Sequence, residues 1–122
     1  MKQKIVGHYS LGNESVELVI REGTGGEFYC CPELGKTARL KIGVEQESWE
    51  DVLKVLLHEA LEYLLTRNCC RYEATGDLSD DHSAYKFWFD HVQLSHMCAC
   101  LGMFLARVLP DLARAYKAFR KP

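Results

Sequence analysis

The spacing of hydrophobic positions changes character near residue 48. Before it, apolar residues recur at every second position in short runs; after it, they recur three and four apart. Lys4-Ile5-Val6 and Val16-Glu17-Leu18-Val19-Ile20-Arg21 are β-prone, and Val16, Leu18 and Ile20 alternate cleanly. Leu11-Gly12-Asn13-Glu14 punctuates them as a turn. Glu27-Phe28-Tyr29-Cys30-Cys31 follows Gly23-Thr24-Gly25-Gly26, and Ala38-Arg39-Leu40-Lys41-Ile42-Gly43 follows Pro32-Glu33-Leu34-Gly35. The pattern predicts an antiparallel meander of three or four strands over residues 2–44. Its glycine-rich segment reads as a hairpin turn. No Gly-Lys-Ser/Thr follows and no helix opens there, so it is not a phosphate loop.

A central helix starts at Ser48, a good N-cap, with Asp51 three residues on in the manner of a capping box. Glu50 and Asp51 place negative charge in the first turn, and Asn68-Cys69-Cys70 closes the helix after Arg67. From Cys70 to Asp81 the composition is that of a polar surface loop, long enough to lie over a site. Ser83-Ala84-Tyr85-Lys86-Phe87-Trp88-Phe89 then reads as a strand that joins the sheet, with a short helix beginning after Asp80 as its rival. Residues 93–109 follow a helical stripe of Leu94, Met97, Leu101, Phe104, Leu105 and Val108. Pro110 is read as opening a last short helix that ends at Lys121. The fold class is α+β, with a small antiparallel sheet packed on the central helix and C-terminal helices. Residues 1–122 make a single domain, since 122 residues leave no room for a second core.

A net charge of −2 and a pI near 6.2 provide no electrostatic footprint for nucleic acid or an anionic membrane. No apolar stretch approaches the roughly 18 residues of a membrane span. The segment after Met1-Lys2-Gln3-Lys4 is too short for a signal peptide. The expectation is a soluble, cytoplasmic protein. The six cysteines are then reduced thiols, in the neighbouring sets Cys30-Cys31, Cys69-Cys70 and Cys98 with Cys100. They lack C-x-x-C spacing; packing is the simple role, and a four-cysteine zinc site built from two sets is the alternative.

The chemistry sits in the central helix. Into Val52, Val55, Leu56 and Tyr63 the sequence inserts His58, Glu59 and Glu62. A buried carboxylate costs several kcal/mol unless paired or bound to metal. His58 and Glu62, four apart, project from one face and can hold one zinc ion with Glu59 beside it. The alternative is an ordinary helix with these residues on its wet side.

His58-Glu59-Ala60-Leu61-Glu62 resembles the zinc-peptidase signature H-E-x-x-H, with Glu in place of the second His. The resemblance implies His58 and Glu62 as metal ligands and Glu59 as the general base. Together with Asp81-His82, Phe87-Trp88-Phe89-Asp90-His91 and Leu109-Pro110-Asp111-Leu112, the chain over residues 50–117 resembles small phage and prophage proteins that look like reduced zincin metallopeptidases. That likeness implies a metal site and names no substrate. A third ligand is then needed. His91, closing the aromatic segment, is preferred, and loop residue His82 is the alternative. Asp81 and Asp90 are candidates to orient an imidazole. His8 is taken as structural or exposed, His96 as packing on its helix, and Tyr63 or Tyr85 as a source of an oxyanion contact. Zinc is ranked above iron or manganese because the H-E pair belongs to hydrolytic zinc sites. Three readings stand: a zinc-dependent hydrolase acting on a peptide or protein substrate, a metal-stabilised binding protein acting on a host protein, and a metal-free α+β interaction module.

Overall fold

The structure, a computed structural model, describes residues 2–30, 37–73 and 85–120. Strands β1 (Gln3–Leu11) and β2 (Glu14–Arg21) form a hairpin around Gly12-Asn13, where Gly12 takes a φ of +65°. β3 (Gly26–Tyr29), β4 (Arg39–Gly43) and helix α1 (Trp49–Arg67) follow. After them come β5 (Arg71–Glu73), β6 (Tyr85–Phe87) and helix α2 (His91–Arg120). The class is α+β, as the pattern of periods implies.

The four N-terminal strands do not form a meander. Their order is β1-β2-β4-β3, and β4 inserts between β2 and β3, parallel to β2 and antiparallel to β3. The glycine-rich segment is therefore not a hairpin turn: it carries the chain across the end of β4. Gly43 makes that crossing possible. A Cβ there would lie 2.5 Å from the carbonyl oxygen of Gly23, while the Gly43 amide donates to the carbonyl of Gly25 at 2.8 Å. Turn glycines do not reveal which strand they pass over, so the alternation alone left the topology open.

One sheet face is apolar and holds Val16, Leu18, Ile20, Leu40 and Ile42, all buried. The opposite face is laced with ion pairs. Buried Glu17 takes Arg39 at 2.8 Å and His8 at 3.3 Å, and Arg21 pairs with Glu27 at 2.8 Å. Both helices pack on the apolar face, α1 over β3 and β4 and α2 over β1. They meet where Trp49 lies 5.1 Å from the Tyr116 ring. Each helix is also tied to the hairpin by a tyrosine. Tyr63 of α1 donates to Glu14 at 3.0 Å, and Tyr9 of β1 donates to Asp111 of α2 at 2.7 Å.

α1 has the expected bounds. Ser48 Oγ accepts from the Asp51 amide at 3.2 Å. Its end is a Schellman motif: the Cys70 amide reaches the Leu65 carbonyl at 2.8 Å and the Cys69 amide the Thr66 carbonyl at 3.2 Å, with Cys69 left-handed at φ +58°. That reversal starts β5 at once. β5 and β6 form a separate two-stranded ribbon, so the aromatic stretch does not join the main sheet. The Trp88 amide, bonded to the Cys70 carbonyl at 2.9 Å, holds the ribbon against the end of α1.

The C-terminal region is one helix, not two. Asp90 caps it, accepting from the Gln93 amide at 2.8 Å while Gln93 accepts from the Asp90 amide at 2.9 Å. Pro110 lies inside it. Proline removes the bond to the carbonyl of Ala106, which is exposed, so water can replace it. Phe104 and Val108 before the proline and Leu112 and Ala115 after it bury on one stripe, and that continuous packing holds the helix straight through. Contrary to the expectation that no apolar stretch approaches the length of a membrane span, α2 is long and apolar enough, by length and composition, to cross a membrane. Met97, Phe104 and Val108 anchor its inner side in the core.

Candidate functional site

α1 brings three candidate side chains, His58, Glu59 and Glu62, to one place. Val52, Leu56, Glu59 and Tyr63 follow the helical repeat and all are buried. Glu59 thus occupies a core position of the stripe, with 7% of its surface exposed. His58 and Glu62 flank it. The His58 side chain is 68% exposed and that of Glu62 18%, so only Glu59 is truly inserted into the apolar surface. The Nε2 atom of His58 stands 3.2 Å from Oε2 of Glu62.

These residues form one wall of an open cleft of about 470 Å³. The facing wall is β3, the edge strand of the sheet, contributing Gly26, Glu27, Phe28 and Tyr29, with Cys30 just beyond it. Gly26 sets the closeness of the walls. A Cβ at this position would lie 2.8 Å from Val55 Cγ1 and 2.9 Å from Glu59 Cγ, so only glycine lets the edge strand sit directly on Glu59. Arg21 holds the Glu27 carboxyl below the usual carboxylate range, mainly through their hydrogen bonds at 2.8 and 3.1 Å.

The ribbon closes the end of the cleft with two further residues. Arg71 Nη1 donates to Glu62 Oε1 at 3.2 Å, and its guanidinium stacks 4.6 Å from the Tyr85 ring and 5.9 Å from Phe28. Glu62 therefore has one oxygen toward His58 and the other toward Arg71. Arg71 was not among the residues singled out from sequence. Its only signal is its place immediately after the helix terminus, in a segment that reads as loop.

Tyr85 lines the cleft as one of the two tyrosines considered for an oxyanion contact; Tyr63 does not, its hydroxyl being bonded to Glu14. His91 opens α2, is exposed and is not among the cleft-lining residues. Asp90 uses its carboxylate to cap the same helix. His82 and Asp81 lie outside the described residues. His8 pairs with Glu17, and His96 lies 3.6 Å from Cys100 on α2. Among the described residues, no group of three or more histidine, cysteine or acidic side chains is gathered as a metal site.

The pair His58–Glu62 stands at the distance of a direct hydrogen bond or ion pair, slightly shorter than two donors on one zinc ion would be. Two donors about 2.0–2.2 Å from one tetrahedral zinc stand about 3.3–3.5 Å apart. Arg71 supports the other carboxylate oxygen, as partners of ligating carboxylates do. Compared with protein-family models, with curated proteins and with solved structures, the chain matches none.

Proposed function

We propose that the protein is a metal-dependent hydrolase of the zincin type, acting on an extended peptide or protein segment in the cleft between α1 and β3. The observation that carries this reading is Glu59, a carboxylate in the core stripe of α1, at the wall of a cleft whose rim holds a histidine and a carboxylate 3.2 Å apart. His58 and Glu62 would hold the metal; His91, the third donor expected from sequence, is not among the residues lining the cleft, and His82 lies outside the described residues. Zinc, when bound, would supply a water of lowered pKa and polarise the scissile carbonyl. Glu59, at the cleft wall, would serve as the group that takes a proton from the attacking water and hands it to the leaving amine. Arg71 holds the Glu62 carboxylate in orientation, and β3, the edge strand of the sheet among the described residues, would offer its outer side to the substrate backbone. Tyr85, which lines the cleft, would be its hydrogen-bond donor to a bound segment.

Metal analysis of the purified chain tests this directly. About one zinc per chain, lost in His58→Ala and Glu62→Ala, with peptide hydrolysis lost in Glu59→Gln at full zinc content, is the expected result. A chain that takes up no metal when zinc is added overturns it. A second reading, a metal-free interaction module, is favoured by one observation: both oxygens of Glu62 already have protein partners, His58 and Arg71. On that reading the exposed aromatics of the ribbon, Tyr72, Phe87 and Trp88, are the contact surface.

A further inference from the structure

Helix α2 carries His96, Cys100 and Met103 at spacings of four and three. At 3.6 residues per turn the three fall within about 60° of one another, flanking the buried stripe of Met97, Phe104 and Val108. His96 and Met103 are exposed, Met103 by 66%, and only Cys100 is partly packed against the core. The Nε2 atom of His96 stands 3.6 Å from the Sγ of Cys100, so the ring is already turned toward the sulfur. Methionine side chains on a helix lean toward its amino terminus, which extends Met103 back toward Cys100 one turn earlier. Cys100 and Met103 also line one small cavity of about 140 Å³, together with Ser10 and Gly12 of the β1–β2 hairpin and Arg107. Imidazole, thiol and thioether thus gather on one accessible side of a rigid helix.

The donor set selects the ion. Hard cations such as magnesium and calcium require oxygen ligands, and from His91 to Ala106 the helix has no Asp or Glu to supply one. One nitrogen and two sulfurs make a soft set, the kind that favours Cu(I). Zinc draws on Cys, His and carboxylates and makes no use of a thioether. Charge points the same way. Arg107 lines the cavity, so any net positive charge placed there meets its guanidinium. Cu(I) on the Cys100 thiolate is neutral overall, whereas zinc on the same ligands keeps one positive charge. Cys98 does not take part: two positions from Cys100, it lies about 160° round the helix. We infer that His96, Cys100 and Met103 form a three-coordinate Cu(I) site on the exposed side of α2. Binding breaks the S–H bond of Cys100 and releases its proton to solvent, with no change in the oxidation state of the metal. The site shares no residue with the cleft of α1 and does not depend on the hydrolase reading.

Competition between the full chain and the chromophoric chelator bicinchoninate for Cu(I), with ascorbate and without oxygen, tests this. Other thiols of the chain also take up Cu(I), so the readout is the difference between the full chain and single variants. Cys100→Ser is expected to bind about one equivalent fewer than the full chain. His96→Ala and Met103→Leu should weaken that equivalent by at least the roughly 10–100-fold that loss of a group supporting a ligand costs. Cys98→Ser should leave it unchanged, with helicity by circular dichroism the same in all four variants. Equal uptake by the full chain and Cys100→Ser overturns the inference, as does a loss in Cys98→Ser as large as that in Cys100→Ser. A Cys100 site indifferent to His96→Ala and Met103→Leu also overturns it, because the thiol alone is then the ligand. Zinc that displaces Cu(I) from this equivalent at equal concentration overturns the choice of ion.

Discussion

α1 and α2 share one core, yet each departs from ordinary amphipathicity in the opposite direction. α1 directs a carboxylate inward, Glu59 in the stripe of Val52, Leu56 and Tyr63. α2 directs apolar side chains outward, Val92 and Met103 opposite Met97 and Phe104. Elsewhere the two are handled alike: each packs on the apolar face of the sheet and each is tied to the β1–β2 hairpin by a tyrosine–carboxylate bond. An inward charge has a desolvation cost that packing does not return, whereas an outward hydrophobe costs the fold little. On the proposed function, the first departure serves chemistry; the second leaves an apolar face outward.

The sharpest way to break this comparison is to remove the charge from α1 without changing its shape. Glu59→Gln is expected to lower peptide hydrolysis by about 10²–10⁴-fold, the usual contribution of a positioned general base, while urea unfolding shifts little. If instead the variant loses several kcal/mol and activity follows stability, Glu59 is a structural carboxylate. Next in size, Phe104→Ala should cost about 3–5 kcal/mol, while Met103→Ala, its neighbour on the outward face, should stay within about 0.5 kcal/mol in dilute urea melts. Similar losses at both positions would mean that the outward face of α2 already belongs to the monomer's core.

Gly26→Ala addresses the junction between sheet and site. The added methyl lies within 3 Å of Val55 and Glu59 side-chain atoms and 3.0 Å from the Lys41 carbonyl, so one wall must move. Destabilisation of about 1–3 kcal/mol is expected, together with a loss of zinc affinity, measured by competition with a chromophoric chelator. Unchanged zinc affinity at reduced stability would detach the edge strand from the metal platform.

The tyrosine ties respond to pH. Burial, then the hydrogen bond to Glu14, raises the Tyr63 phenol above its ordinary value; burial and Asp111 do the same for Tyr9. A raised folded value means that the folded state holds the proton more tightly than the unfolded chain does. The contribution is therefore complete below about pH 10 and declines as pH rises through the ordinary tyrosine range toward the folded value. Tyr63→Phe should cost about 1 kcal/mol at neutral pH and flatten that alkaline slope. An unaltered alkaline profile in both Tyr63→Phe and Tyr9→Phe would show that other groups control it.

How much of this was legible in the sequence follows from the range of each signal. Both ends of α1 were readable because Ser48 and the Asn68-Cys69-Cys70 terminus act within a turn of the helix. The juxtaposition of His58 and Glu62 was readable for the same reason: a spacing of four is local geometry. Strand order was not, since the insertion of β4 depends on Gly43 beneath the Gly23 carbonyl, a contact between separate segments. Pro110 misled because proline reports a missing amide hydrogen, while the continuous burial of Phe104, Val108 and Leu112 decides whether the helix survives it. Arg71 was missed because its role depends on the Tyr85 strand folding back beside it.

The smallest expected effect sits where α1 ends and the ribbon begins. Cys69 holds a left-handed φ of +58°, a conformation that costs a side-chain-bearing residue on the order of 1 kcal/mol and glycine almost nothing. It is exposed, so its thiol adds no core packing, whereas the neighbouring Cys70 is buried and its thiol is pushed up by desolvation. Cys69→Gly should therefore stabilise by roughly 0.5 kcal/mol, part of the strain relief being offset by the greater freedom of glycine in the unfolded chain. Cys70→Gly should destabilise by about 1–3 kcal/mol through the cavity it leaves in the core. Paired urea melts read both signs at once. Stabilisation at 69 with loss at 70 would identify the Schellman turn as the strained link that aims Arg71 at Glu62; loss at both would mean that Cys69 makes a contact worth more than its backbone strain.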